Sequence, residues 1–248
     1  MGMLHVDFCI LGAGPSGLTF AHKLLQAGCT SFVLLEKEAE AGGLCRSTMV
    51  DGAPLDIGGG HFLDVRRSAV LEFLFQFMPR PEWSEYARIA KIRLHGREID
   101  HPLEANLWQL PEADQIDFLE SIAQAGCVSG TPQPEEFGEW IRWKLGQRIA
   151  KEYMLPYNRK MWSMPLERLG TYWLDKLPEV SFREILQSCL ECRAKGNLPA
   201  HGTFLYPARH GYGEVWHRMA AALGDHFRAS CPVNSLDPIN RTVNGEYH

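Results

Sequence analysis

The chain opens on a short apolar run, VDFCILGAG (residues 6–14), that stops in glycines. An apolar stretch of that length, bounded by a turn signal, predicts a strand over 6–11. The period then changes. Leu18, Ala21, Leu24 and Leu25 recur three and four apart, which predicts a helix over 15–27 with Gly28 as its C-cap. FVLLE returns to a near-continuous apolar run and predicts a strand over 31–36 covered on both faces, as in a parallel sheet. Strand, helix and strand in this order make a βαβ unit.

Further along, SAVLEFLFQFM predicts a helix over 68–78, and KIRLHGREIDHP a hairpin over 91–102 turning at Gly96. From 103 to about 195 the texture is that of amphipathic helices punctuated by prolines: 112–125, 134–153, 165–176 and 181–194. FLYPARHGYG reads as strand and turn, WHRMAAAL as a helix, and FRASCPV as another strand. No internal repeat is present. The expected fold class is α/β, a Rossmann-like dinucleotide-binding domain with a parallel sheet and a mainly helical inserted domain. Its expected boundaries are 1–90, 91–202 and 203–248, the last returning to the first domain.

Composition narrows the function classes. With 45% hydrophobic and 22% charged residues, the 248-residue chain has ordinary globular character and length for one or two domains. A net charge of −5 gives no electrostatic case for nucleic acid or an anionic membrane. No stretch approaches the roughly 20 apolar residues that span a bilayer, and the N-terminus lacks the basic region and cleavage site of a signal peptide. The seven cysteines are an odd set in such a chain and are expected as reduced thiols in the cytoplasm. Cys189 and Cys192 form a C-x-x-C inside a helical pattern with no second pair, which favours packing over zinc or redox chemistry.

The candidate chemistry begins at Gly12-Ala-Gly14-Pro15-Ser16-Gly17. Gly12 allows a sharp turn, Gly14 a close approach of backbone to a pyrophosphate, and Gly17 tight helix–strand packing. The helix N-terminus offers unbonded N–H groups to phosphates. Glu36 ends the second strand, where a carboxylate can accept from ribose hydroxyls, and Lys37 follows it. NAD and FAD both suit these features.

Two further segments, EKEAEAGGLCRS and PLDIGGGHF, resemble a flavoprotein superfamily that includes amine oxidases, protoporphyrinogen oxidase and UDP-galactopyranose mutases. The resemblance implies FAD. It implies Gly42, Gly43, Leu44 and Arg46 along the pyrophosphate and ribityl chain, and Gly58, Gly59, Gly60 and His61 facing the flavin ring. Glycine clusters let backbone lie against a planar ring without Cβ clashes. His61 is the candidate catalytic group, since an imidazole titrates near neutrality; the alternative is a strand-end histidine satisfied by backbone.

The segment FGEWIRWKLGQRIAKEYMLPYNRKMWSMPLERL resembles the middle region of the mutases, as does IDHPLEANLWQL. With FLYPARHGYGEVWHRMAAAL the likeness covers about 200 residues. It implies that Tyr157, Asn158, Lys160 and Trp162 form a wall of a nucleotide-sugar pocket; the alternative is that these aromatics are core. The mutases place an arginine soon after this region. Here the stretch is DKLPEVSFREIL, and Arg183 stands out of register. Val233 falls where the family's strand contacts adenine. Family members run well beyond this length, so the chain resembles a truncated member whose Asn244-Gly245 turn has no useful return strand.

Three functions are then open: a mutase-like enzyme in which reduced flavin acts on a nucleotide sugar, an oxidase or desaturase acting on an amine, porphyrinogen or polyene, and a non-catalytic remnant. A small-molecule substrate is expected, with no nucleic acid, no transmembrane segment and no metal, and oligomerisation left open. No nucleophile-elbow motif, H-E-x-x-H or Walker loop occurs.

Overall fold

A computed structural model describes residues 4–174, 177, 179–196 and 202–248. The chain divides into two units, Met1–Ala87 with Thr203–His248, and Arg88–Gly202.

In the first unit, β1 (Phe8–Leu11), α1 (Pro15–Gln26) and β2 (Phe32–Leu35) form the βαβ element. β1 and β2 are parallel, in register from Phe8 opposite Phe32 to Leu11 opposite Leu35. Phe227–Arg228 pairs in parallel with the other side of β2, so β2 is central and all four of its residues are buried. That is why its sequence lacks alternation. The core of the unit packs Leu18 and Ala21 of α1 with Leu34 and with Val215, Trp216 and Met219 of the Gly213–Ala221 helix.

Two expectations need correction here. FRASCPV forms a strand only at Phe227–Arg228. Ser230 has φ of 53°, its N–H bonds the Glu38 carbonyl at 2.8 Å, and the Cys231 N–H bonds the Glu36 carbonyl at 2.7 Å. The chain therefore leaves the ladder to follow the loop after β2, and Val233 lies outside any strand. Conversely, Ser47–Val50 (β3) and Ala53–Asp56 (β4) form an antiparallel hairpin where the sequence reading assigns no strand. Its turn signal, Asp51-Gly52, is in the sequence, and both residues take positive φ as a tight hairpin turn requires. At the C-terminal end, Leu236–Asp237 pairs with Thr242–Val243, and the Asn244-Gly245 turn returns only as far as a bridge at Tyr247. A second, antiparallel sheet joins Leu63–Asp64, Thr203–Pro207 and Trp83–Ala87.

The second unit begins with the expected hairpin, Lys91–Leu94 against Arg97–Asp100, turning at His95-Gly96. Glu112–Ala123 packs on Phe137–Ile149 around Phe118, Ile122, Leu145 and Ile149. The expected continuous helix over 134–153 is interrupted. Gly146 has φ of 75° and ψ of 167°, and a Cβ there would stand 2.4 Å from the Ser121 carbonyl oxygen. Close approach of the two helices thus breaks the longer one at its glycine. A π-wound stretch, Ala150–Met154, leads into the helix Leu155–Trp162. The expected helix over 165–176 is not α-helical where described. Leu166–Arg168 winds as a 3₁₀ turn and Leu174 is also 3₁₀, while between them the Leu169 carbonyl and Gly170 pair with Phe137 and Glu136; residues 175 and 176 lie outside the described set. Phe182–Glu191 starts at a capping box in which Ser181 and Glu184 satisfy each other's backbone N–H groups. Cys189 packs against the core, as its place on this helix suggests.

Two outcomes follow for the helical unit. Phe118 is fully buried, so Phe118→Ala is expected to cost about 3–5 kcal/mol, read by denaturant unfolding. Glu104 is buried, and desolvation raises its carboxyl above the ordinary value, with Lys144 offsetting part of this. The unfolded chain holds it near about 4.3. The unfolded state therefore loses its proton first, and Glu104's contribution is full below that value and declines as pH rises. Wild type should lose stability relative to Glu104→Gln as pH rises above about 4.3, a trend visible in paired thermal melts.

Candidate FAD site

The first unit concentrates its backbone at one end of the parallel strands. After Leu11 the chain turns at Gly12, with φ of 93°, and enters α1 at Pro15. A Cβ on Gly17 would lie 2.1 Å from the Gly12 carbonyl oxygen, so the helix meets the turn with no side chain between. Opposite, the Gly42-Gly43 pair approaches the same loop. The Gly42 N–H donates to the Ala13 carbonyl at 2.7 Å, and a Cβ on Gly43 would lie 3.2 Å from the Gly14 Cα. The N–H groups of Ser16 and Gly17, in the first turn of α1, have no acceptor within the helix.

These loops border a cavity of about 430 Å³ whose lining includes Gly12, Gly14, Glu36, Gly43, Arg46 and Val233. Lys37 and Leu44 line it too, whereas the candidates Pro15, Ser16, Gly17 and Gly42 are not part of its lining. Leu11, Glu38 and Cys231 also line it, and the sequence reading passes over them. Position in the chain gives little signal for these three; only the fold carries Cys231 to the end of β2.

Glu36 is 5% exposed. Its Oε2 accepts from the Ala13 N–H at 2.7 Å, and its Oε1 from the Glu38 N–H at 3.0 Å. Both oxygens thus keep further acceptor capacity while the carboxylate is held rigidly. Arg46 donates through Nε to the Gly43 carbonyl at 3.1 Å and lies 3.5 Å from Glu38, which directs the guanidinium along the cavity rim.

The Gly58–His61 run follows β4. Gly58 packs on the Gly42–Arg46 loop, where a Cβ would come within 2.0 Å of the Leu44 carbonyl oxygen. Gly60 has no atom within 4 Å of a Cβ position, so one side of the run is open. His61 Nδ1 is 2.9 Å from the Gly59 carbonyl. A carbonyl only accepts, so Nδ1 carries the proton and Nε2 is left for another partner. The imidazole lies nearly parallel to Tyr212, with centroids 6.1 Å apart.

In the helical unit, Leu155–Trp162 carries the other four candidates. Tyr157 and Trp162 are about half exposed, at 45% and 44%, and Lys160 is exposed. Tyr157 stacks on Tyr153 at 5.5 Å, and Trp162 lies 5.3 Å from Trp173. Asn158 is buried, and its amide donates to the Met154 carbonyl at 2.8 Å, so it faces the interior of the unit. A larger cavity of about 590 Å³ in this unit is lined by Asp117, Ser121, Thr131, Glu139, Trp143 and Arg148, and by none of the four. Among the described residues no cluster of metal-ligating side chains occurs, no cysteine is paired, and no helix is long and apolar enough to cross a membrane.

The profile of the flavin containing amine oxidoreductase family matches residues 15–246. The chain belongs to that family. Family membership implies FAD, and the site fits it. The cavity is lined by glycines with no Cβ at Gly12, Gly14 and Gly43 and by the fixed Glu36 carboxylate, and Gly60, in the second glycine run, is open on one side. Among family relatives, the UDP-galactopyranose mutase of Mycoplasma pneumoniae is 25% identical over 96% of this chain and 58% of its own length. A crystal structure of reduced UDP-galactopyranose mutase superposes with a TM-score of 0.85 at 26% identity, covering 96% of this chain and 52% of the other. Putrescine oxidase superposes with a TM-score of 0.60 at 20% identity, covering 98% and 56%, a likeness of fold. The chain spans little more than half the length of these relatives.

Gly14 separates cofactor binding from folding. A Cβ there meets only the Gly43 Cα, at 4.0 Å, and the backbone is extended with φ of −74°, so alanine costs the fold little. It would stand where a phosphate approaches. Gly14→Ala is expected to leave the melting temperature of the apo chain unchanged and to weaken FAD binding by about tenfold or more, about 1.4 kcal/mol, measured by fluorescence titration.

Proposed function

We infer that this chain is an FAD-binding protein of the UDP-galactopyranose mutase type, acting on a nucleotide sugar. The observation that carries the reading is the joint match in sequence and fold over 96% of the chain to a mutase, at a TM-score of 0.85. The amine oxidase likeness, at 20% identity, supports only the shared fold.

In this reading Gly12, Gly14 and Gly43 pass the pyrophosphate, and the first turn of α1, with Pro15, Ser16 and Gly17, presents N–H donors and the positive end of its dipole. Glu36 accepts from ribose hydroxyls through the lone pairs its two backbone contacts leave. Arg46 and Lys37 offset phosphate charge at the rim, and Val233 borders the adenine end. Gly42 and Leu44 shape the ribityl passage; Gly58, Gly59 and Gly60 let backbone lie flat against the ring. His61 holds its proton on Nδ1 against the Gly59 carbonyl, which leaves Nε2 as an acceptor for a substrate hydroxyl. Tyr157 and Trp162 offer stacking faces to a base or sugar, with Lys160 beside them and Asn158 holding their helix in place. When bound, the flavin supplies the electron-rich chemistry that amino-acid side chains lack.

The test is spectroscopic and then chemical. The purified chain, incubated with FAD and desalted, should retain a flavin spectrum near one equivalent. Reduced with dithionite, it should interconvert UDP-galactopyranose and its furanose isomer, and the oxidised form should yield no peroxide with putrescine. Peroxide production with an amine would replace this reading with that of an oxidase. A folded sample that retains no flavin would remove the enzyme reading altogether.

A further inference from the structure

One carboxylate ties together more of the first unit than its sequence position suggests. Asp56 ends β4, directly before Ile57 and the Gly58–His61 run. Its Oδ1 accepts from the Ser47 hydroxyl at 2.6 Å and from the Tyr212 N–H at 3.2 Å. Its Oδ2 accepts from the Tyr206 hydroxyl at 2.9 Å. Ser47 in turn accepts from the Gly213 N–H at 2.7 Å. The preceding residue, Arg46, accepts through its carbonyl from the Ile57 N–H at 3.1 Å.

Packing leaves this junction little slack. A Cβ on Gly213 would lie 2.5 Å from the Ser47 nitrogen, and one on Gly211 would lie 2.6 Å from the Ser47 Cβ. A carboxylate only accepts, so its two oxygens can take all three converging donors at once. Burial, and then the Asp56 carboxylate, push the Tyr206 phenol up to about 12, so it stays a donor through the neutral range.

We propose that Asp56 is a positioning residue that fastens the Gly42–Arg46 loop and the Gly58–His61 run to each other and to the start of the Gly213–Ala221 helix. Its consequence for the ring end of the cofactor rests on the FAD reading above; its effect on the backbone does not. The phosphate end has a separate anchor in Glu36, whose contacts are with Ala13 and Glu38. Loss of Asp56 should therefore loosen one end of the site and spare the other.

The experiment uses the full chain without cofactor, comparing wild type, Asp56→Ala and Asp56→Asn by amide hydrogen exchange resolved to short peptides. In Asp56→Ala the Ile57–His61 amides should exchange at least about tenfold faster, while those of α1 and β2 hold their rates. Asp56→Asn should recover most of the protection, because its oxygen still serves Ser47 and Tyr212 and the Tyr206 hydroxyl can turn to accept. In titrations, FAD should weaken by about tenfold in Asp56→Ala while ADP, which lacks the ring, stays within about twofold of wild type. Unchanged exchange at 57–61 overturns the proposal. So does faster exchange spread equally over α1 and β2, or parallel loss of FAD and ADP, since either would make Asp56 a general stabiliser. Should Asp56→Ala not yield folded protein, Tyr206→Phe removes one donor alone, and unaltered exchange at 57–61 in that variant overturns the proposal equally. Wild type that binds no FAD would sink the flavin reading and still leave the exchange comparison to decide the role of Asp56.

Discussion

The nucleotide-binding unit depends on backbone meeting backbone with no side chain between. Gly17 against the Gly12 carbonyl, Gly43 against Gly14, and Gly58 against the Leu44 carbonyl are three such contacts, the first and third closer than any Cβ would allow and the second tight for one. They stack the phosphate loop, the Gly42–Arg46 loop and the Gly58–His61 run in succession. Because the contacts are made by main chain, the first turn of α1 keeps the Ser16 and Gly17 N–H groups without an acceptor in the helix. A site for an elongated anion follows from steric exclusion before any charged side chain is considered.

Charged groups then hold what the glycines permit. Glu36 accepts from two backbone N–H groups and Asp56 from three donors, so each carboxylate is held in place by matched donors. A buried acceptor with matched donors is rigid, since moving it would leave polar groups unpaired at a cost of about 1–3 kcal/mol each. Arg46 is the contrast. Its pairings to Gly43 and Glu38 are at the rim, where a side chain can exchange one partner for another.

The helical unit is built differently. Its cores are aromatic and branched aliphatic, around Phe118 and Ile149 in one cluster and Phe137, Trp140 and Ile141 in the other. Two of the candidates on the Leu155–Trp162 helix, Tyr157 and Trp162, keep half of their surface outside those cores. Burial is the default for such residues in a well-filled unit, and exposed stacking faces are what a ring-bearing ligand requires. Asn158, turned inward onto Met154, belongs to the framework of that helix.

Much of this was legible without coordinates, because it depends on local chemistry. The period change from β1 to α1, the unbroken apolar run of β2, the glycine spacing and the acid at 36 are short-range patterns that any fold must honour. The sequence by itself therefore determined the βαβ element, the phosphate loop and the amphipathic character of the 103–195 region. Tertiary structure decided the rest, through contacts between residues far apart in the chain. Gly146 breaks its helix because the Ser121 carbonyl approaches it, and Leu166–Gly170 does not continue as a helix because the Leu169 carbonyl accepts from the Phe137 N–H and Gly170 bridges to Glu136. FRASCPV leaves its ladder because Glu36 and Glu38 carbonyls claim its amides. Asp56 becomes a junction only when residues 47, 206 and 212 arrive beside it, separations of up to 156 positions that no local pattern records.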